Sequence, residues 1–360
     1  MERFGCNTRL VAGAGAAAEL AALGARRLFV VTDPYFYQNG VAQQLAARSG
    51  AEKIAFFHEV RPDPTVELAA RGTAALSEFG ADWVLALGGG SAMDCAKAMV
   101  YFSGKSVRLA AMPTTSGSGS EMTDFAILTH NGVKHPLVDP KLRPEVAILD
   151  SDLLKELPPK LIAETGFDVL THAAEAYVAK NAGAVTDALA SDAFRTAFSC
   201  LPASYAGDTS VRLRLHIAAS MAGMAFTQAG LGLCHAMAHA LGGAFHVPHG
   251  SLNAILLPAV IEVNAHGSAD RYAKLASAVG LGGSAHAVAV RSLKNALLGL
   301  RRQLNLPQTL AQAGIRPELV WRGSRDIVQA VLEDPCCETN PVTVEDFMVR
   351  RVLEAVTGRG

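Results

Sequence analysis

At Pro158-Pro159 the sequence changes rhythm, and that change calls for a fold of two dissimilar parts. Before the prolines, short apolar runs alternate with Ala- and Leu-rich stretches. Leu28 to Thr32, Ile54 to Phe57, Trp83 to Leu87 and Leu109 to Met112 read as buried strands. Val41 to Ser49, Val66 to Phe79 and Ala92 to Tyr101 carry apolar residues at helical spacing. Strands alternating with helices predict a parallel sheet covered on its faces. Phe125 to Thr129 and Val146 to Leu149 add two more strands. After the prolines β-branched clusters are few, and Ala163 to Val178, Thr186 to Cys200, Leu213 to Gly230 and Leu256 to Asn264 predict helices. The expected division is an α/β N-terminal domain over residues 1–155 and an all-α C-terminal domain over 156–360.

Bulk properties exclude several classes. Half the residues are hydrophobic, enough for a sizeable core. A formal net charge of −1 leaves no basic excess for nucleic acid. No apolar run reaches the roughly 18 residues that a membrane span needs. Met1 to Arg9 lacks the apolar stretch of a secretory signal. Cys6, Cys95, Cys200, Cys234, Cys336 and Cys337 show no CxxC spacing, as expected for reduced thiols in a cytoplasmic protein.

Two glycine-rich turns compete as a phosphate site. Gly13-Ala14-Gly15-Ala16-Ala17-Ala18 follows a short apolar run, Leu10 to Ala12, and Asp33 lies 20 residues after Gly13. That satisfies a dinucleotide fingerprint on paper, although a helix start accounts for Gly13 and Gly15 equally well. Gly88-Gly89-Gly90-Ser91-Ala92 instead links a strong strand to a strong helix. Its glycines let a backbone approach a pyrophosphate at a helix N-terminus, and Ser91 is placed to cap that helix or to donate to a phosphate. A second polar loop, Pro113 to Glu121, follows the next strand and holds Thr114, Thr115, Ser116, Gly117 and Ser118. Ligands of open α/β sheets bind beyond the carboxyl ends of strands, so the two loops point to a phosphorylated ligand. Asp33, at another strand end, suits a ribose 2′-hydroxyl and would repel a 2′-phosphate. That favours NAD(H) over NADP(H).

The second half carries ionisable side chains inside apolar stretches. Asp168 and His172 stand four apart, as do His235 and His239, so each pair shares a helix face. His246 and His249 follow in the loop segment Phe245 to Gly250. Buried titratable groups are costly unless paired or ligating, and this set of one carboxylate and several imidazoles suits a divalent metal. The four later histidines cannot all ligate one ion together with Asp168 and His172. Spacing leaves that choice open.

At these residues the chain resembles the iron-containing (group III) alcohol dehydrogenase family, with its dehydroquinate synthase-like fold. The likeness spans essentially the whole chain and is carried by Gly88 to Asp94, Pro113 to Glu121, Gly166 to Glu175 and Ala222 to Gly250. Within the family it is greatest to the 1-propanol dehydrogenases of propanediol utilisation, through Thr8 to Leu10, Pro62-Asp63-Pro64-Thr65, Gly166 to Ala173 and Gln228 to Leu233. The resemblance implies a dinucleotide-binding first domain and a metal-binding, catalytic second one. It makes Asp168, His172, His235 and His249 the ligands of a divalent metal, Fe(II) ahead of Zn(II). His239 becomes a proton relay, and His246 is left structural. Gly88, Gly89, Gly90, Ser91, Ala92, Thr114 to Ser118, Asp33, Asp63 and Lys134 become cofactor contacts, and Gly13 to Ala18 is rejected as the pyrophosphate site. Phe125, Phe226 and Cys336 imply a narrow apolar pocket. Asn340-Pro341-Val342 departs from relatives that have Arg after Pro.

The implied reaction is metal- and NAD(H)-dependent interconversion of a short aldehyde and its primary alcohol, propanal and 1-propanol above all. The alternatives are acetaldehyde, lactaldehyde or a glycerol-type polyol as substrate, and a silent metal- or nucleotide-binding component of an enzyme compartment. The expected assembly is a homodimer or larger. It is placed in the cytoplasm, either free or with the proteins of a bacterial microcompartment.

Overall fold

A computed structural model describes residues 4–358. The chain divides into two compact units, Gly5–Leu157 and Pro158 onward. In the first unit the predicted runs pair as strands, joined by one further strand, Val133–Val138. These are β1 (Arg9–Gly13), β2 (Arg27–Val31), β3 (Lys53–Phe57), β4 (Trp83–Gly88) and β5 (Arg108–Pro113), followed by β6 (Phe125–His130), β7 (Val133–Val138) and β8 (Val146–Asp150). Six of them form one parallel sheet in the order β1-β8-β5-β4-β2-β3. Side chains alternate between the faces of a strand, and both faces of this sheet are packed. Leu28, Val30, Leu85 and Leu87 meet Leu20 and Leu45 on one side. Phe29, Val31, Val84 and Ala86 meet Leu76 and Met99 on the other. That is why these strands are apolar throughout and do not alternate with polar residues.

β6 departs from the expected sheet. It pairs antiparallel with β7, a strand that the sequence reading did not foresee. β7 is mostly exposed or half-exposed, so it lacks an apolar signature. Its signal was the turn Asn131-Gly132, where both residues have positive φ, as a tight hairpin requires.

Parallel pairing puts all six carboxyl ends on one edge. The order β5-β4-β2 then sets Pro113, Gly88 and the segment after Val31 side by side. The expected phosphate loops and Asp33 therefore neighbour one another although they are far apart in sequence.

The second unit is built of long helices, among them Pro159–Val178, Ala184–Tyr205, Arg212–Ala229, Leu233–Phe245, His249–Ala278 and His286–Gln303. Pro159 opens the first of these, where its fixed φ fits and no intrahelical N–H is needed. The helix expected from Leu256 begins earlier, so His249 is its first residue and not part of a loop. Pro258 lies inside that helix and cannot donate to the carbonyl of Ala254. Buried Arg301 takes over, its Nη1 donating to Ala254 and Ile255 carbonyls at 3.0 and 3.1 Å. Gly250 follows His249 because a Cβ there would stand 2.2 Å from the Glu164 carbonyl oxygen. The glycine lets the start of this helix seat against the helix of Asp168. Among the described residues no single helix is long and apolar enough to cross a membrane.

Candidate metal and cofactor sites

Three helices of the second unit bring the ionisable side chains together. Asp168 and His172 project from Pro159–Val178, His235 and His239 from Leu233–Phe245, and His249 from the first turn of His249–Ala278. Asp168 Oδ1 lies 3.9 Å from His235 Nε2 and 3.7 Å from His249 Nε2. One donor atom from each of these three residues falls within 4.8 Å of the others. His172 lies beside this group, its Nδ1 3.9 Å from Asp168 Oδ2. Its ring is stacked between Phe226 and His235, with centroids 4.5 Å away on each side.

These residues fit a divalent cation on two structural grounds. Asn253 Nδ2 stands 2.7 Å from Asp168 Oδ1, 3.2 Å from His249 Nε2 and 3.4 Å from His235 Nε2. An amide nitrogen has two protons, so three acceptors converge where two protons are on offer. His172 Nδ1 is moreover buried without a hydrogen bond. A buried polar atom normally has a partner, and an imidazole nitrogen beside a carboxylate and two further imidazoles is suited to ligation.

Glu175 organises this centre, and the sequence reading gave it no role. Its Oε2 lies 2.6 Å from His235 Nδ1, and as a carboxylate it accepts that proton and leaves Nε2 with a lone pair. It also accepts from the backbone N–H groups of Gly232 at 3.0 Å and Cys234 at 2.6 Å, the open amides at the start of the His235 helix. Burial pushes the Glu175 carboxyl up to about 7, against the pull of those amides. Burial, with His172 and His239 nearby, drives His235 well below the ordinary histidine range and keeps its ring neutral. The available signal was position: Asp168, His172 and Glu175 follow the spacing i, i+4, i+7 along one face.

His239 lies apart from the donor group. Its Nδ1 is 2.8 Å from Asp334 Oδ2, and its ring stacks on His249 with centroids 5.5 Å apart. His246 is exposed and ends its helix in a left-handed conformation, φ 55°. Phe226 is buried against His172, and Cys336 is half-buried with its N–H donating to Asp334 Oδ1 at 2.8 Å. Phe125 belongs to the other unit, where its carbonyl accepts from Lys97 Nζ at 2.8 Å.

In the sheet unit, Gly88 has φ +149°, and a Cβ there would stand 2.7 Å from the Ala92 Cβ and 3.6 Å from Asp33 Oδ2. Cβ atoms on Gly89 and Gly90 would meet Thr115 and Ser118 at 3.3 and 3.2 Å. The two loops and Asp33 thus form one surface. The helix begins at Gly90 with Gly89 at its cap and no side-chain cap bond, so Ser91 does not cap it and lies within its first turn. Such an N-terminus offers N–H groups and a positive dipole end to a phosphate. Asp33 Oδ1 accepts from Phe36 N–H at 3.1 Å. Lys134 Nζ pairs with Asp63 Oδ1 at 2.6 Å, so these two expected cofactor contacts engage each other.

The rival turn is already filled. Asp150 accepts from Gly15 N–H at 3.1 Å and Ala17 N–H at 2.8 Å, so a side-chain carboxylate stands where a phosphate would have to bind.

Buried Lys97 was also missed. It donates to Ser120 Oγ at 3.0 Å, Thr123 Oγ1 at 2.8 Å and the carbonyls of Thr123 and Phe125 at 3.1 and 2.8 Å. Asp94, one turn earlier, accepts from Ser120 Oγ at 2.8 Å and Ile127 N–H at 3.2 Å. Together they fasten the end of the 113–121 loop. The spacing Asp94-x-x-Lys97 on the glycine-loop helix was the visible cue.

The chain is similar to known proteins over nearly its whole length. A family profile described as iron-containing alcohol dehydrogenase matches residues 7–151, and its C-terminal counterpart matches 162–357. A 1-propanol dehydrogenase of Citrobacter freundii is 39% identical over 368 residues, covering 98% of this chain and 99% of that protein. An NADPH-dependent butanol dehydrogenase of Clostridium saccharobutylicum is 38% identical over 84% of each chain. The solved iron-containing alcohol dehydrogenase of Thermococcus thioreducens superposes with a TM-score of 0.92 at 31% identity, covering 99% of this chain and 100% of that one.

Proposed function

The chain belongs to the iron-containing alcohol dehydrogenase family and interconverts an aldehyde and an alcohol, and we propose that its pair is propanal and 1-propanol, with NAD(H) as hydride carrier. The convergence of Asp168, His235 and His249 beside His172 carries the reading. A divalent metal bound there supplies Lewis-acid polarisation of the carbonyl, and a nicotinamide supplies hydride. Fe(II) is the first candidate and Zn(II) the second.

The protein's own residues supply orientation and a proton. Glu175 holds His235 with Nε2 toward Asp168. Phe226 packs on His172 and fixes its ring plane. His239 is the group assigned to take a proton as the alkoxide forms from the alcohol, or to give one as the alkoxide is consumed. Gly88 to Ala92 and Thr114 to Ser118 receive the pyrophosphate, and Asp33 receives the ribose 2′-hydroxyl. The carboxylate at Asp33 supports NAD(H), whereas one relative is described as NADPH-dependent. Phe226, stacked on His172, and Cys336, beside Asp334, are the apolar residues of the helical unit assigned to the substrate. Near full-length likeness to a 1-propanol dehydrogenase supports propanal over a hydroxyaldehyde. The reading includes a homodimer or larger homo-oligomer acting in propanediol utilisation, in the cytoplasm, either free or within a microcompartment.

Protein reconstituted with Fe(II) should oxidise NADH with propanal faster than with acetaldehyde, lactaldehyde or dihydroxyacetone. Preference for a hydroxylated substrate would move the assignment to a diol or polyol. No turnover with any of them would overturn it.

A further inference from the structure

The segment after Leu332 lies against the helix of His235 and His239, and it carries a carboxylate that the proposed chemistry has not used. Asp334 Oδ2 meets His239 Nδ1 at 2.8 Å, and its Oδ1 accepts from Cys336 N–H at 2.8 Å. Both oxygens are engaged, and the side chain is only 14% exposed. The segment itself is clamped to the start of the same helix. Asn340 Oδ1 accepts from Leu233 N–H at 3.0 Å, and Thr339 Oγ1 donates to the Leu231 carbonyl at 2.6 Å. Asn340 and Asn264 exchange two hydrogen bonds of 2.9 Å. Asp334 is thus tethered to the helix whose histidine it touches.

We propose that Asp334 is a positioning residue for the reaction, holding His239 in the tautomer and ring orientation that present Nε2 to the substrate oxygen. The inference rests on the reading of His239 as proton relay. A neutral imidazole carries its proton on one nitrogen or the other, and the partner at the far nitrogen decides which. A carboxylate only accepts, so Nδ1 carries a proton and Nε2 is the exchanging atom. A ring held by one hydrogen bond from a fixed, largely buried acceptor loses little freedom when the substrate arrives. An exposed ion pair would have none of these consequences, because both partners could rotate away.

A double-mutant cycle with a spectroscopic readout tests this. His239→Ala should lower kcat about 10²-fold. Asp334→Ala should lower kcat about 10–100-fold with KM for propanal and metal content unchanged. In the His239→Ala background, Asp334→Ala should then cost almost nothing further. Asp334→Glu should recover part of the loss. In metal-loaded protein with ¹⁵N-labelled histidine, the His239 signals should show a proton on Nδ1, and Asp334→Asn should weaken that preference. Equal fold losses from Asp334→Ala with and without His239 would overturn the positioning role while leaving the relay intact. Full kcat in His239→Ala would instead remove the relay reading, and this inference with it.

Discussion

Two histidines stand one turn apart on one helix, and each has a carboxylate at its Nδ1. They differ in burial. His235 is almost wholly enclosed, with a side chain 2% exposed, and its partner Glu175 is enclosed to the same degree. His239 is 25% exposed, and Asp334 14%. Burial keeps the His235 ring neutral with Nε2 as a lone-pair donor beside Asp168, which is what a metal requires. His239 keeps an exposed edge and stands outside the group of donor atoms around Asp168. On the proposed reading the same local chemistry yields a ligand in one place and a relay in the other, and desolvation decides between them.

The largest effects should come from breaking the buried member. His235→Ala should abolish metal retention and activity together, read by metal analysis beside a propanal assay. Glu175→Gln should keep the fold and lower metal affinity or activity about 10–100-fold, because the amide cannot hold Nδ1–H as firmly as a carboxylate. Full activity in a variant stripped of metal would sink the proposed use of the site. His239→Ala should leave metal content at the wild-type level and slow turnover only. If it lost the metal too, the contrast between ligand and relay would collapse.

The helical half of this contrast was partly legible in the sequence. Asp168, His172, His235 and His239 announced shared faces through their spacing. What spacing could not give was the burial of each ring or the partner at each Nδ1, since Asp334 lies 95 residues beyond His239. His249 looked like a loop residue because Pro248 and Gly250 flank it. Those residues instead open a helix and let it approach its neighbour. In the sheet unit the β-branched runs were readable because burial on both faces leaves them uninterrupted. β7 was not, because its residues face outward. Gly13 to Ala18 matched a fingerprint on paper after a short apolar run, while Gly88 to Ala92 joined a stronger strand to a stronger helix, and the structure adds that Asp150, about 135 residues away in sequence, already holds amides of the first turn. Motif letters describe a turn, but they do not say what already sits on its amides.

A second contrast, smaller in effect, concerns the sheet edge. Asp33 lies against the glycine loop, where its charge should select the cofactor. Asp33→Gly should raise kcat/KM for NADPH relative to NADH by about 10-fold or more, the loss of one like-charge repulsion being worth at least 1.4 kcal/mol. An unchanged ratio would place 2′-phosphate discrimination elsewhere.

The smallest expected effect sets Lys97 against the histidines, since it is a buried cation with hydroxyl and carbonyl partners. Burial pushes its ammonium down from 10.5 to about 8, with Asp94, Glu121 and Asp124 pulling the other way. Between about 8 and 10.5 the unfolded chain therefore holds a proton that the folded chain has released. Stability rises with pH wherever the unfolded state binds more protons. The contribution is present above the unfolded value and is lost as pH falls through the folded one. Lys97→Met lacks this gain, so the Tm of wild type minus that of the variant should increase as pH is raised from 8 to 10. A change of about 1 kcal/mol would appear as roughly 2–4 °C in a unit of this size. Parallel Tm curves across that window would mean that Lys97 keeps its proton in the folded protein. The four oxygens around it would then hold the ammonium more tightly than burial weakens it, as Glu175 holds His235 from the opposite side of the charge balance.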